Sequence, residues 1–141
     1  SLFLVGSNFD FSGFTCAGTT LGIQSIYGVS ALGGLLSSSI LSTSFVTLAS
    51  TQAVALRFSL YVTGTALNSQ FFITSNGVNV FSTFLSGTNF VQNIEVQFAA
   101  GASQSLALGF GFTSVAGSSF QWAVSDMAVA YSSTAVGTIF N

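Results

Sequence analysis

Charge is almost absent from this sequence of 141 residues, in which charged side chains make up 3%. An ordinary globular domain carries about a quarter. The sequence holds one Arg and three acidic residues, and it has no Lys, His or Pro. Nucleic-acid binding requires several cations to displace the counterions of the phosphates, so Arg57 alone excludes a nucleic-acid partner. The same shortage excludes attachment to an anionic membrane through a basic patch.

The side chains that usually carry out acid–base catalysis are equally scarce. Without His, neither a Ser-His-Asp nor a Cys-His catalytic set can form. A glycoside hydrolase uses two carboxylates that face each other across a cleft. Asp10 and Asp126 could lie close together, but with three acidic residues in the whole chain we predict that the protein is not an enzyme. Cys16 is the only cysteine, which excludes an internal disulfide. A small buried thiol is the expected state, with an intermolecular bridge as the alternative.

Long apolar runs are missing too, although the mean hydropathy is high at +0.76. The best candidate for a membrane helix is residues 31–50, and eight of its 20 residues are Ser or Thr. It has no flanking Lys or Arg and no aromatic belt. We therefore predict no membrane span.

The sequence does contain clear period-2 alternation, which is typical of half-buried β-strands. Apolar and polar or small residues alternate in 56–62, 93–98 and 105–112. The last of these runs has one heavy face and one nearly bare face of Ser, Ala and Gly, which suits close approach by another layer or a neighbouring subunit. No segment has a sustained 3.6-residue period, so we expect little or no helix.

Turn signals separate the alternating runs at the spacing of an all-β sandwich. Residues 71–84 read as a hairpin with Asn76-Gly77 at its turn. Residues 63–69 and 85–89 are predicted as further breaks between strands. Arg57 and Glu95 occupy polar-face positions of predicted strands, where a cross-strand ion pair is expected and a sugar-binding role is the alternative.

The order of these segments resembles the galactose-binding-like jelly rolls, which include carbohydrate-binding modules and cell-surface β-sandwich domains of secreted proteins. "VGSNFDFSGFTCAG" resembles their "NGSFE…GW" opening, and "ALRFSLYVTG" their "YRLSFWV" strand. "FFITSNGVNVFSTF" resembles the "V-x-NG-x-x-V" hairpin, "NFVQNIEVQFAAGASQSLALGFGF" the segment "WTQYSFTFTATGTTTTLSFGF", and "FQWAVSDMAVA" the closing "FWLDDVSV" strand. The match covers roughly residues 5–131 and is poorest over 17–50. It implies one all-β domain over 1–141, a jelly-roll β-sandwich of two antiparallel sheets.

The resemblance also implies functional residues. In the family, an acid of the opening strand and an Asp of the closing strand help to hold a structural Ca²⁺, and Asp10 and Asp126 fall on these positions. Backbone carbonyls and Ser or Thr hydroxyls would have to complete the ligand set. The alternative is that Asp10 caps a turn and Asp126 faces solvent.

A carbohydrate-binding module or lectin-like adhesin is one functional hypothesis that the resemblance supports, with a polysaccharide as the partner. Sugar sites need exposed aromatic rings and a few orienting polar groups. The candidate aromatic residues are Tyr27, Tyr61, Trp122 and Tyr131. Each has a structural alternative, and for Trp122 in the closing strand a core position is the favoured one.

Composition favours a different hypothesis, a secreted structural subunit that assembles with copies of itself into an extracellular filament or surface layer. Near-zero net charge promotes association, and strand edges without Lys or Pro invite intermolecular pairing. Two apolar terminal segments, 1–5 and 133–141, are the predicted contacts, because they would reach a neighbouring subunit unless they pair within their own sandwich. The proposed assembly residues are Leu2, Phe3, Leu4, Val5, Ile139 and Phe140.

The cellular location follows from the resemblance and from the start of the chain. The family members are secreted or cell-surface proteins, so an extracellular location is expected. The sequence begins with Ser, which indicates a processed chain or an excised part of a longer one.

Overall fold

The protein folds almost entirely into β-strands. The computed structural model describes residues 2–3, 14–16, 21–46, 53–99, 105–113 and 115–132, and within these ranges it contains no helix. The nine strands are β1 (Leu2–Phe3), β2 (Phe14–Cys16), β3 (Gly22–Ile26), β4 (Val29–Leu36), β5 (Ile40–Val46), β6 (Ala53–Ser75), β7 (Val78–Ala99), β8 (Ser105–Thr113) and β9 (Ser119–Ser132). The all-β prediction is confirmed, and the described part of the chain has no helix that is long and apolar enough to cross a membrane.

All strand pairs are antiparallel, and the hydrogen-bonded order is β2-β5-β8-β6-β9-β4-β3, with β1 joined to β9 and β7 joined to β6. The strands form two layers because β6 and β7, of 23 and 22 residues, run through both. The first part of β6 pairs with β9, and residues 70–75 pair with β8. This is the predicted jelly-roll sandwich, with its two layers connected through the β6–β7 ribbon.

The β6–β7 ribbon bends where the sequence predicts breaks at residues 63–69 and 85–89. The prediction that the strands break there is wrong, since both strands continue through these segments with register shifts in their pairing. Positive φ angles mark the bend: Gly64 (104°), Asn68 (47°), Gly87 (145°) and Asn89 (51°). Gly and Asn tolerate this backbone region, and a bend needs it as much as a turn does. The Gly64 N–H donates to Asn89 Oδ1 at 2.8 Å, which ties the two bent strands together.

Two tight hairpins use the same residue chemistry. The predicted turn at Asn76-Gly77 is confirmed, with φ angles of 50° and 82°, as a two-residue type I′ turn requires. A second turn at Tyr27 and Gly28, with φ angles of 53° and 79°, joins β3 to β4. It lies in the part of the sequence that matches the family least.

The core lies between the two layers and is rich in aromatic rings. The predicted inward residues of three strands are buried: Leu56, Phe58, Leu60 and Val62; Ile94, Val96 and Phe98; Leu106, Leu108, Phe110 and Phe112. Phe58 of β6 packs edge-on against Phe110 of β8 at 5.6 Å between ring centroids. Trp122 of β9 contacts Phe112 at 5.7 Å, and its indole N–H donates to the Leu36 carbonyl at 2.7 Å. The rings therefore connect one layer with the other.

The N-terminal strand belongs to this same sandwich. Leu2 pairs with Ala130 and Phe3 with Val129, so β1 extends the edge of its own sheet. This is the intramolecular alternative to a contact with a neighbouring copy. Leu4, Val5 and the segment 133–141 with Ile139 and Phe140 lie outside the described residues, so their assembly role stays a prediction. Cys16 is partly buried against the main core, close to the expected state.

Candidate functional site

The two layers present outer faces of different chemistry. We call the outer side of the β7–β6–β9 layer the polar face and the outer side of the β5–β8–β6 layer the glycine face. On antiparallel strands, directly opposite residues share a face. By this register the polar face comprises Arg57, Ser59, Tyr61, Val91, Asn93, Glu95, Ala123, Ser125 and Ala128. Asp126 lies beside Arg57 and Glu95 on the same face. The glycine face comprises Thr15, Ile40, Ser42, Ser44, Gln70, Phe72, Thr74, Ser82, Phe84, Ala107, Gly109 and Gly111.

A cleft on the polar face collects every charged residue of the described part of the chain. Its volume is about 520 Å³, and its walls are Arg57, Phe58, Ser59, Asn93, Ile94, Glu95 and Asp126. Arg57 lies directly opposite Glu95 across the β6–β7 pair, as predicted for cross-strand neighbours. The Ser59 hydroxyl donates to Asn93 Oδ1 at 3.0 Å, two residues along the same two strands. The cleft thus holds cationic, anionic, amide and hydroxyl groups on adjacent strands.

A β-bulge places Asp126 at this cleft. Ser59 pairs with Ser125 and Arg57 pairs with Ala128, so two residues of β9 stand opposite one residue of β6. Asp126 has a φ of 55°, a left-handed conformation that Asp accepts more readily than most residues. The bulge leaves Asp126 exposed and turns Met127 into the core. Bulges commonly re-aim a side chain in this way.

Two of the predicted aromatic residues meet beside the cleft. The rings of Tyr27 and Tyr61 lie 6.2 Å apart at an angle of 44°. Tyr61 is buried, whereas Tyr27 is 53% exposed, and the Tyr27 hydroxyl donates to the Val62 carbonyl at 3.3 Å. Tyr61 also packs with Ala31 and Ala123 in a small second hydrophobic cluster. Tyr27 therefore offers a partly exposed ring, held by its own hydroxyl and by the ring beneath it.

Hydrogen bonds connect the tyrosine pair to the cleft. The buried Ser125 hydroxyl lies 3.2 Å from the Tyr61 hydroxyl and 3.3 Å from Asp126 Oδ2. A Ser hydroxyl has one proton and two lone pairs, so it can donate to one of these partners and accept from the other. Ser125 therefore links Asp126 with the tyrosine pair. At about 3.3 Å per residue, Arg57 and Tyr61 on β6 stand roughly 13 Å apart. The distance from the cleft to the tyrosine pair is therefore greater than the length of a single small polar group.

The glycine face offers a different kind of groove. Its volume is about 410 Å³, and it is lined mainly by Thr15, Ile40, Ser42, Thr43, Ser44, Thr74, Gly77, Ala107, Leu108 and Gly109. None of these lining residues is charged. A methyl group at Gly111 would meet the Ile40 and Phe72 side chains, which lean over β8. Ile40 and Phe84 are 43% and 62% exposed, so this face combines hydroxyl groups with exposed apolar side chains.

The structure brings together some of the sequence-predicted site residues and separates others. Tyr27, Tyr61 and Asp126 share the polar face, but Trp122 is 1% exposed in the core, as its favoured alternative expected, and it offers no surface for a ligand. Nothing is described of the Tyr131 side chain, and Asp10 lies outside the described residues. The described part of the chain contains no group of three or more potential metal ligands among His, Cys, Asp and Glu.

Sequence reasoning missed the uncharged polar part of the site. Ser59 and Asn93 are ordinary outward positions of alternating strands, and nothing in the sequence distinguishes them from other polar residues. The signal that could have singled them out is their register with Arg57 and Glu95, which was itself predicted.

Comparison with known proteins identifies the fold. By sequence, the chain matches no protein family and no curated protein. By structure, it is similar to the CBM22-1 xylan-binding domain of Paenibacillus barcinonensis Xyn10C, with a TM-score of 0.63, 13% identity and coverage of 89% of this chain and 88% of that one. It is also similar to a CBM36 carbohydrate-binding module in complex with calcium and xylotriose, with a TM-score of 0.51, 19% identity and coverage of 84% and 93%.

In another similar structure, the matching part belongs to a much longer chain. The enzymatically active domain of tailspike protein 4 of bacteriophage CBA120 matches 92% of this chain but only 21% of its own length, with a TM-score of 0.58 and 11% identity. At these identities the likeness defines the fold alone. The chain has the jelly-roll β-sandwich fold found in carbohydrate-binding modules.

Proposed function

We propose that the protein is a non-catalytic carbohydrate-binding domain that holds a polysaccharide at the polar face. The observation that carries this proposal is the convergence of Arg57, Glu95 and Asp126 with amide and hydroxyl groups on one cleft, in a fold shared with carbohydrate-binding modules. Sugars present hydroxyls that both donate and accept hydrogen bonds, so a mixed set of donors and acceptors suits them. An extracellular location, where polysaccharides are found, belongs to the same proposal.

The aromatic pair supports the proposal independently of the charges. Sugar rings present C–H faces that pack on aromatic rings, while polar groups fix their orientation. Tyr27 has an exposed ring on a rigid base, because Tyr61 lies beneath it and its hydroxyl is bonded to Val62. The ring and the cleft are joined through Ser125. A chain of several sugar units therefore fits this face better than a monosaccharide.

A binding assay on soluble polysaccharides tests this function. Affinity electrophoresis in gels that contain xylan, galactan, β-glucan or glycol chitin would detect binding as slower migration. We expect at least one polysaccharide to retard the wild type, and Tyr27→Ala and Asn93→Ala to abolish most of the retardation. Phe84→Ala is the matched control, because it removes an exposed ring from the glycine face. A wild type that none of these polymers retards would contradict the proposal.

Self-assembly is the second candidate function, and the glycine face is the observation that favours it. This face has no charge among its described residues, and it exposes Ile40 and Phe84. A face without charge offers no electrostatic repulsion between copies. The pairing of β1 with β9 in the same chain favours the intramolecular alternative for the N-terminal segment. Analytical ultracentrifugation over a hundredfold concentration range distinguishes the candidates, since a subunit of a filament must form large species.

A structural Ca²⁺ at Asp10 and Asp126 is a further part of the proposal. The CBM36 structure contains calcium, and Asp126 is exposed at a bulge of β9. The described residues alone do not supply a full set of oxygen ligands, so the site depends on Asp10 and on backbone or hydroxyl oxygens. Calcium that binds only the folded state raises the melting temperature. We expect chelator to lower it, and an unchanged melting temperature with no bound calcium would contradict this site.

A further inference from the structure

The polar-face cleft has an unequal number of positive and negative side chains. One Arg and two acidic residues line it, so its formal charge is −1 when no calcium is bound at Asp126. We infer that the cleft selects glycans by charge, favouring those that carry ammonium groups, such as partly or fully deacetylated amino-sugar polymers, over neutral ones, and rejecting acidic ones. This inference rests on the proposed function and adds a substrate class to it.

Charged side chains outside the binding site, which usually obscure such a preference, are nearly absent from this sequence. In most proteins, charges spread over the whole surface contribute to the potential at any one site. Here the cleft contains all the charged side chains of the described residues, and beyond them the sequence adds only Asp10 and the chain termini. Asp10 is acidic as well. The field that a glycan meets at the polar face therefore comes mainly from Arg57, Glu95 and Asp126.

The positions of the three charged residues on their strands determine the electric field inside the cleft. Arg57 and Glu95 are directly opposite each other on neighbouring strands, so their fields largely cancel at a distance. The carboxylate of Asp126 is on the third strand, at the bulge, 3.3 Å from the Ser125 hydroxyl. A cationic group that enters the cleft meets two carboxylates and one guanidinium, so attraction exceeds repulsion, and for an anionic group the balance is the opposite. Neutral hydroxyls can bond to any of these groups.

The expected size of the effect is modest because all three side chains are exposed. Two unit charges about 6 Å apart in a watery environment interact enough to change an affinity by roughly threefold, and by more where water is partly excluded. Salt should screen the preference, because the Debye length is about 10 Å at 0.1 M. The preference should therefore be clear at low ionic strength and weak at high ionic strength.

The test uses three ligands with one backbone: chitohexaose, its fully de-N-acetylated form and its carboxymethylated form. Calorimetric titration of the wild type at low salt and in chelator should give the highest affinity for the deacetylated ligand, about threefold or more above chitohexaose, and the lowest affinity for the carboxymethylated one. Raising the salt to 0.5 M should bring the three affinities together. Binding of the three ligands with equal affinity, or best binding of the acidic one, would overturn the inference and leave the proposed function intact.

Substitutions that change the charge of the cleft in opposite directions test whether the preference originates there. Glu95→Gln brings the formal charge of the cleft to zero and should remove the preference, whereas Arg57→Gln should strengthen it. Ser44→Glu is the matched control, since it changes the net charge of the protein by one unit on the glycine face and should leave the preference unchanged. An equal response to Ser44→Glu would overturn a local origin. If none of the three hexasaccharides binds and no polysaccharide retards the protein, the inference and the proposed function both fail.

Discussion

The polar face and the glycine face lie on opposite sides of one sandwich, and their inner sides are nearly alike. Behind both faces, Phe and Leu side chains alternate inward and fill the same core. The outer sides differ completely: one has three charged residues beside an exposed tyrosine, and the other has glycines, hydroxyls and scattered apolar groups. The core does not require this difference, so we attribute it to what each face contacts.

The largest expected effect is a loss of folding stability that affects both faces, because they share one core. Trp122→Ala removes a buried ring that contacts Phe71 and Phe112, and it leaves the Leu36 carbonyl without its indole donor. Such truncations cost about 3–5 kcal/mol. Denaturant unfolding would measure this. Phe84→Ala on the surface should stay within about 0.5 kcal/mol, and similar values for the two variants would contradict this description of the core.

The next effect separates glycines that form the bend from glycines that form a face. At Gly64 the φ is 104°, and a methyl group would lie 2.4 Å from the Ser119 carbonyl oxygen, so Gly64→Ala should cost about 2 kcal/mol or more. At Gly109 the nearest obstacle is the Thr74 hydroxyl, a side chain that can rotate away. Gly109→Ala should cost less than about 1 kcal/mol. Thermal unfolding of both variants would measure which loses more stability. A larger loss for Gly109→Ala than for Gly64→Ala would contradict this distinction.

The bulge allows the backbone role of Asp126 to be separated from its carboxylate. In chelator, Asp126→Asn should change stability by less than about 0.5 kcal/mol, because Asn also accepts a positive φ. Asp126→Val should cost about 1–2 kcal/mol there, since a β-branched residue does not. Added calcium should then stabilise the wild type and leave Asp126→Asn unchanged. Equal losses for Asn and Val in chelator would show that the bulge conformation is not the reason for an acidic residue here.

The smallest effects on stability are expected at the exposed pair on the polar face. Arg57→Gln and Glu95→Gln should each alter the free energy of unfolding by well under about 1 kcal/mol, because exposed ion pairs contribute little. Both should nevertheless change ligand affinity. A variant with a large loss of stability would indicate that this pair supports the fold and would weaken its assignment to a binding site. Chemical unfolding curves with a common m-value would decide this.

The strands were predictable because alternation is a local property. Leu56, Leu60 and Ile94 face inward as their positions in the sequence indicate, and Asn76-Gly77 forms the turn that its residue types favour. The bend at Gly64 could not be distinguished from a turn, since both need a residue that accepts positive φ. The difference depends on whether the partner strand continues beside it, which is a property of the whole sheet.

The candidate site was predictable only in part. Arg57 and Glu95 were recognised as cross-strand neighbours because they occupy the outward positions of paired strands. The position of Asp126 beside them depends on the register of β9 and on the extra residue of its bulge. Neither has a local signal, since the same Asp without the bulge would occupy a different face. The clustering of Tyr27 with Tyr61 also depends on how the β3–β4 hairpin folds over the sheet.

The central claim, that the polar face binds carbohydrate, is tested most directly by amide chemical-shift mapping. A ¹⁵N-labelled protein would be titrated with a hexasaccharide of the polysaccharide that retards it most in affinity electrophoresis. We predict that the largest shifts occur at the backbone amides of Ser59, Asn93 and Asp126, with little change at Ser42 and Gly109. Shifts confined to the β5–β8 side, or no shifts at millimolar ligand, would contradict the assignment.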